Sequence, residues 1–577
     1  MPFEKKDGAK TIKDVVRRNT GMDPDEFIRD QEDSHIDQLK EAADVIREYI
    51  RTHQPDPKVT IVGDYDVDGD TASAIMYWVF RGLGVTPDIR IPRRFSEGYG
   101  LKTSIVEEMF GDDRLVVTVD NGIAAIDAIR MAKNRGYTVV VTDHHLPVKD
   151  ENGEIILPPA DVVLDPHVHP ERSGFEDFCG AGLAYRLGKE LLPNLNLVQL
   201  QVLASIGTVA DVMPLVGDNR QIVKEGLEAM NQRKNLPGVN LLANAMNLDD
   251  HITEETYAMQ IGPVMNASGR LNDDGAMRVV EVLTNNATPA NEEKAQKLVK
   301  INDVRKGLVR ENMAIAMEHI TDERPIVIFD KRFHEGVSGI VAGKLQEKFH
   351  CPVIIFKDIH NGDLLKGSAR SPEGIHLKDV LDKIQGHIEA YGGHAGAAGL
   401  SIRANHLEEF RKAFKEACGP MPEIGPAQYD LELEGNYGEL MNELLKYAPY
   451  GEKNPKISFH AVFDTSDCEF RKMGDGTHFK IHIPRSADGS RQEIDLVGFG
   501  MADEYESIGA PKHISVIGHL TENWFRGNRT INFQLTHIEE AQPIREKTPL
   551  QERITQKVAE AQGANGRQMD GKNNEAR

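Results

Sequence analysis

The run Val59-Thr60-Ile61-Val62-Gly63-Asp64-Tyr65-Asp66-Val67-Asp68-Gly69 decides the fold, because a short β-prone stretch ends in carboxylates at alternate positions. Two later stretches repeat the arrangement. Leu115–Val119 leads into Asp120-Asn121-Gly122, and Tyr137–Thr142 leads into Asp143-His144-His145. The segments between them, including Thr71–Arg81 and Ala124–Arg135, read as helices. Strand–helix alternation of this kind predicts a parallel sheet covered on both faces. In such a sheet functional groups collect beyond the carboxyl ends of the strands, so the three acidic ends are expected in one crevice.

Pooled carboxylates repel one another and drift toward protonation unless a cation neutralises them. Aspartate oxygens with one or two imidazoles suit Mn2+ or Mg2+ rather than a cysteine-bound zinc. Two such ions, roughly 3.5–4 Å apart, can activate a water and stabilise the leaving oxygen of a phosphodiester. The strand ends therefore point to metal-assisted phosphoester hydrolysis. A single aspartate after a strand is usually a helix cap or turn former. Asp68 is read that way, since Gly69-Asp70-Thr71 opens the next helix, and His167 and His169, beside Pro166 and Pro170, are read as loop residues.

Working outward, residues 34–53 carry Ile36, Leu39, Ala43, Ile46 and Ile50 at helical spacing behind a Ser34 cap. Helices are expected at Ala181–Leu192 and Leu197–Ile206, and one long polar helix from about Ala290 to Ile320, able to join two lobes. A second α/β unit starts at Pro325–Phe329, with strands near Val353–Phe356 and Ala398–Ile402. Beyond Gly419-Pro420 the pattern turns to β: Ile457–Phe463, His478–Ile483, Glu493–Phe499, His513–Gly518 and Thr530–His537. Five strands in so short a span suit a small barrel such as an OB-fold. Trp78, among the apolar residues of Ala74–Phe80, reads as core.

With 577 residues, the chain is expected to form three or four domains. It has no apolar run of the length a membrane helix needs, and its first residues lack the apolar stretch of a secretory signal. Its 4 cysteines lie far apart without a C-x-x-C pair, which argues against disulfide frameworks and zinc knuckles and favours a reducing cytoplasm. The net charge of -23 does not exclude a phosphate-binding partner, because cations or metals can be concentrated in one groove.

The strand ends and a series of later motifs resemble the DHH phosphoesterases and, within these, the RecJ exonucleases. The motifs that carry the resemblance run from about Val59 to His537. They are residues 63–69, Thr118–Gly122, Asp143-His144-His145, Gly207–Val212, Gly262–Leu271, His334–Ile340 and Gly392–Gly399. The resemblance implies that Asp120 bridges two metals, that Asp64 holds one ion, and that Asp66, His144 and Asp211 hold the other. It implies a place for His145 close to the scissile phosphate, and so Asp120, His144 and His145 as the catalytic set. Some members of the family carry a histidine where this chain has Val62, which would leave the ion on Asp64 with fewer ligands. The approach to the barrel, Gly451-Glu452-Lys453-Asn454-Pro455, departs from the family only in a loop glycine.

For substrate, the glycine-rich Gly392–Gly399 segment reads either as a tight turn or as a close approach to phosphate with His394 projecting; the resemblance favours contact. It likewise implies phosphate-binding roles for Arg370, with its neighbour Ser371, and for Arg93, Arg94 and Arg270, whose forks suit paired oxygens. Trp524, Phe525 and Arg526 could stack bases and follow a backbone, or the aromatic pair could fill the barrel. The implied layout is an N-terminal helical segment (1–57), a DHH catalytic domain (58–235), a helical connector (236–320), a DHHA1 substrate-binding domain (321–418), an OB-fold-like domain (425–540) and a flexible tail (541–577). The implied activity is 5′→3′ digestion of single-stranded DNA in repair and recombination, using two Mn2+ or Mg2+ ions. The enzyme would be monomeric and cytoplasmic, with a single-strand-binding protein and a helicase as candidate partners. The alternatives are an oligoribonucleotide or cyclic-dinucleotide phosphodiesterase, disfavoured by the trailing barrel, and a non-catalytic DNA-binding scaffold, disfavoured by the retained ligands.

Overall fold

The computed structural model describes residues 3–541 apart from 7, 110, 112, 249–250, 360–361, 424, 467, 486–491 and 526–527. The tail expected at 541–577 therefore lies, after its first residue, outside the described residues. The chain forms two compact units.

The larger unit comprises residues 16–425 and 445–456. The helix leading into its first sheet is α1 (Asp37–Thr52), whose cap position is held by Ile36 without a side-chain bond. Ser34, expected as the cap, instead donates to the Asp218 carboxylate, which also pairs with buried Arg186. The first sheet comes next: β1 (Val59–Val62), α2 (Val67–Gly82), β2 (Asp88–Arg90), β3 (Leu115–Val119), α3 (Ile126–Asn134), β4 (Thr138–Thr142) and β5 (Val162–Leu164). All pairs are parallel, in the order β2-β1-β3-β4-β5. The three central strands are β-branched and leucine runs buried almost throughout, as a sheet covered on both sides requires. The edge strands β2 and β5 have 3 residues each and carry too little pattern to be read from sequence. Helices α4 (Gly180–Leu191) and α5 (Val198–Ala210) close over α2. Trp78 is only half-buried; it packs against the core and its indole N–H donates to Leu283 O at 3.1 Å.

After α6 (Gly262–Leu271), the 30-residue α7 (Pro289–Glu318) starts at a Thr288 cap with Pro289 in the first position, the combination that favours a helix start. The second sheet comprises β6 (Ile326–Phe329), α8 (Glu335–Phe349), β7 (Val353–Asp358), β8 (Leu364–Arg370), β9 (Ala390–Gly393) and β10 (Ala397–Arg403), followed by α9 (Leu407–Cys418). Its order is β9-β10-β8-β7-β6, with only β6 and β7 parallel.

The smaller unit comprises residues 1–15, 426–444 and 457–577. Its strands are β11 (Leu431–Glu432), β12 (Phe459–Asp464), β13 (Glu469–Met473), β14 (His478–Ile483), β15 (Ile494–Gly498), β16 (His513–Phe525) and β17 (Asn528–Glu540). They form one sheet in the order β11-β12-β16-β17-β15-β14-β13. Seven strands replace the five expected, and among the described residues β11 and β13 are left as edges, so the sheet is not a closed barrel. The two units also cut the chain differently from the domain limits read in the sequence. Glu4–Lys5, expected in a helical segment, pairs in parallel with Gln428–Tyr429, while residues 445–456 belong to the larger unit.

Candidate metal centre and anion cavity

The three acidic strand ends do converge. Asp64 follows β1, Asp120 follows β3 and Asp143 follows β4, and all three carboxylates are buried. Asp120 takes a left-handed backbone (φ 59), an arrangement that costs a non-glycine residue about 1–3 kcal/mol and is found where geometry is over-determined. The neighbouring Asn121 holds it there. Its amide donates to Val62 O (3.0 Å) and Val119 O (2.9 Å), and its oxygen accepts from Leu101 N (3.1 Å). Gly180 lets α4 approach, because a Cβ there would lie 2.4 Å from the Asp120 Cβ.

Three groups of side chains bring ligand atoms within 4.8 Å of one another: Asp64, Asp66 and Asp120; Asp68, His144 and Asp211; and Asp120, His144 and His145. His144 Nε2 is central, at 3.0 Å from Asp120, 3.7 Å from Asp68 and 3.8 Å from Asp211. The geometry corrects one sequence assignment. Asp66, not Asp68, caps α2, accepting from Asp68 N (3.0 Å) and Gly69 N (3.1 Å). Asp68 turns inward, accepts from Gly180 N (2.6 Å) and Ala181 N (2.8 Å) at the start of α4, and faces His144 and Asp211. Asp66 sits instead with Asp64 and Asp120.

The cluster's electrostatics fit a cation. Burial first, and then the neighbouring carboxylates, push Asp64 and Asp120 well above the ordinary carboxylate range. The same causes push Asp211 up to about 8. The Asp64 Oδ1 atom is buried without a partner, as is Oδ1 of neighbouring Asp70. Oxygen and imidazole donors, crowded and partly orphaned, are the set a hard divalent ion satisfies. Burial holds His144 below its usual value, as a neutral ligand would be. His145 behaves oppositely. Burial opposes its charge, but the bond to Asp143 (2.8 Å) and the surrounding carboxylates outweigh it and raise the imidazole to about 9. Tyr99 O–H lies 3.1 Å from His145 Nδ1 and donates to Asp120 O at 3.0 Å. Val62 packs into an apolar cluster with Val116 and Val141.

In the same unit a cavity of about 640 Å³ opens between the two sheets, lined by Tyr65, Arg94, Phe95, Arg370 and His394 among others. Arg94 stacks over the Tyr65 ring at 4.8 Å. Arg270 is pushed down to about 10 by burial and then by Arg94, Arg305 and Arg370, so four guanidinium groups share one neighbourhood. Gly336 permits this arrangement, because a Cβ there would sit 1.8 Å from Arg270 O. Ser371 Oγ is buried without a partner. Arg93 is exposed and is not among the residues lining the cavity. In the smaller unit Trp524 is half-buried, with its indole N–H 3.3 Å from Glu522 Oε2. The Phe525 side chain and all of Arg526 lie outside what is described.

Family models match the chain in three places: the DHH family N-terminal domain at residues 58–207, the DHHA1 domain at 322–419 and the RecJ OB domain at 429–537. A single-stranded-DNA-specific exonuclease RecJ of Haemophilus influenzae is 32% identical over 526 residues, covering 85% of this chain and 89% of its own. The chain belongs to the RecJ family. The Escherichia coli member is 30% identical over 516 residues, covering 83% of this chain and 87% of its own. The crystal structure of RecJ in complex with Mn2+ from Thermus thermophilus superposes with a TM-score of 0.75 at 26% identity, covering 92% of this chain and 76% of that one. The OB family match applies to the open seven-stranded sheet, so the fold is the family's even though the sheet does not close.

Sequence reading missed Arg305, Tyr99, Lys357 and Lys366. Arg305 lies in α7 among many charged residues, where nothing in the pattern marks one arginine, yet its Nε is buried without a partner. Tyr99 lies between two glycines, Gly98 and Gly100, and reads as part of a turn; only the fold reveals that it reaches His145.

Proposed function

We propose that this chain is a metal-dependent exonuclease that removes nucleotides from the 5′ end of single-stranded DNA. The observation that carries the reading is the pairing, in one compact unit, of the carboxylate–imidazole cluster with the arginine-rimmed cavity. Its relatives are named single-stranded-DNA-specific exonucleases, and one was solved with Mn2+. Asp64, Asp66 and Asp120 would hold one divalent ion, and Asp68, His144 and Asp211 a second, with Asp120 between them. Divalent ions there supply Lewis-acid stabilisation of charge on phosphoryl oxygens and a more acidic bound water.

The chain's own groups do the rest. His145, kept charged by Asp143 and oriented by Tyr99, presents an N–H to a phosphate oxygen beside the cluster. Arg94, Arg270, Arg305 and Arg370 clamp the terminal phosphate, which makes the enzyme end-specific. Tyr65 and Phe95 give the first base an apolar wall. One chain carries both parts, which supports a monomer. A substrate generated by strand separation supports a helicase and a single-strand-binding protein as partners, and work on chromosomal DNA supports a cytoplasmic place.

The test is digestion of long single-stranded DNA labelled at either end, with Mn2+, Mg2+ or chelator, by the wild type and by Asp120→Ala. Metal-dependent release from the 5′ end only, abolished in the variant, is expected. Intact long DNA beside rapid cleavage of dinucleotides would replace this reading with a short-oligonucleotide hydrolase.

A further inference from the structure

The cavity does not end at the arginines. Along β8, alternate residues Lys366, Ser368 and Arg370 face into it, while the residues between them are buried. Lys366 stands directly opposite Lys357 of β7, which lines the same cavity. Like charges opposed across antiparallel strands destabilise the pair, so such a pair needs compensation. Glu335, on the first turn of α8, meets Lys366 at 2.5 Å. Lys357, half-buried, has no carboxylate partner among the described residues. It also adds to burial in holding neighbouring His334 below its usual value. Two opposed cations served by one carboxylate leave net positive charge turned into the cavity.

The floor between the two cationic groups is kept low. Gly392 and Gly399 face each other across β9 and β10, and Ser368 continues the row on β8. A Cβ at either glycine would meet nothing within 4 Å, and neither takes a left-handed backbone, so their absent side chains leave room. From Arg370 to Lys366 the strand advances about 13 Å at 3.3 Å per residue. A single phosphate on the arginines would not reach both groups, but an anion extending along the floor would. The start of α8 also faces this space through Gly336 and Ser338, adding the favourable end of a helix dipole.

We propose that Lys357 and Lys366 form a second anion subsite beyond the arginine cluster, which takes the outer phosphates of a 5′ end carrying an oligophosphate. The proposal rests on the reading of the arginines as the terminal-phosphate clamp. The experiment uses the Mn2+-loaded enzyme and three single strands of one sequence, ending in a 5′-hydroxyl, a 5′-monophosphate or a 5′-triphosphate. All are used at concentrations too low to deplete the metal. The KM for the triphosphate end is expected about tenfold below that for the monophosphate end, which corresponds to about 1.4 kcal/mol.

Lys357→Gln with Lys366→Gln should bring that ratio to within twofold of unity, and each single substitution should take about a threefold share. Lys357→Arg with Lys366→Arg should preserve it. Removing the same charge at Lys412 and Lys415, which lie on α9 and do not line this cavity, should leave the ratio in place. A wild-type ratio of one or less, or a tenfold ratio that survives both glutamines, overturns the proposal. Equal KM values for the hydroxyl and monophosphate ends would overturn the arginine reading instead, and that comparison is independent of the lysine ratio.

Discussion

Asp68→Asn removes a charge from a buried carboxylate whose Oδ2 lies 3.7 Å from His144 Nε2. It keeps one amide oxygen for the two N–H groups of Gly180 and Ala181, at 2.6 and 2.8 Å. In the metal-free protein two effects oppose each other. One N–H at the start of α4 loses its acceptor, at a cost of about 1–3 kcal/mol. The repulsion that Asp68 exerts on Asp66, Asp120 and Asp211 disappears, which recovers part of that cost. The metal-free variant should therefore unfold close to the wild type.

The metal-loaded state should differ sharply. If the lost charge weakens binding about a hundredfold, then metal at 100 times the wild-type Kd stabilises the wild type by about 2.7 kcal/mol and the variant by about 0.4 kcal/mol. The assay is thermal unfolding with chelator and with Mn2+, alongside calorimetric titration of Mn2+. An Asp68→Asn protein that keeps the full metal increment would refute the ligand role and leave Asp68 as an acceptor for α4 alone.

Three further outcomes rest on the same geometry. Asp211 is pushed up to about 8, and Asp64 and Asp120 are raised as well; the stability these groups contribute to the metal-free protein is full below about pH 4 and is lost as pH rises toward 8, because ionisation is resisted in the folded state. Mn2+ should flatten that fall in unfolding temperature, and a metal-free profile that rises over this range would contradict the repulsion among these carboxylates. Arg270→Gln should raise KM for 5′-phosphate ends at least tenfold while changing KM for 5′-hydroxyl ends less than threefold, in steady-state digestion of matched strands. Asp273 accepts from Phe95 N (2.8 Å), Ser96 N (3.3 Å) and Ser96 Oγ (2.6 Å), anchoring the loop that carries Arg94. Asp273→Ala should raise KM for phosphate ends several-fold with Mn2+ affinity unchanged by calorimetry; a parallel loss of metal binding would show that the loop acts elsewhere.

The central strands were legible because β1, β3 and β4 are short apolar runs that lead into glycine or acidic residues and alternate with helical stretches. The long helix was equally plain, with Thr288 and Pro289 marking its start. What escaped had little local signal. β8 is Leu-Leu-Lys-Gly-Ser-Ala-Arg, in which small and charged residues mask the alternation that faces the cavity. β13, Glu-Phe-Arg-Lys-Met, is an exposed edge strand that reads as loop. Asp66 and Asp68 were interchanged for a specific reason. Either could cap α2 by spacing, and the choice is made by the N–H groups of Gly180 and Ala181, which arrive from a helix more than a hundred residues later. The arginine cluster was legible in part because Arg94, Arg270 and Arg370 sit in or near glycine- and serine-rich motifs, whereas Arg305 reaches it only through the path of α7.

An acidic chain that binds a polyanion has to arrange its field locally. The formal charge of -23 would repel a DNA strand at long range at low salt. Inside the larger unit two groups of like charges lie together, the carboxylates disfavoured by burial and then by one another, and Arg270 by burial and then by its arginine neighbours. Arg270, pushed down only to about 10, remains charged at neutral pH, so its group keeps its full attraction for phosphate. On the proposed reading, a divalent ion would relieve the first group and a terminal phosphate the second. Because the cation also supplies positive charge beside the cavity, it should strengthen phosphate binding, and the phosphate should strengthen cation binding by the same factor. On that reading the acidic composition would act as a filter, favouring strands that bring a phosphate end to the arginines.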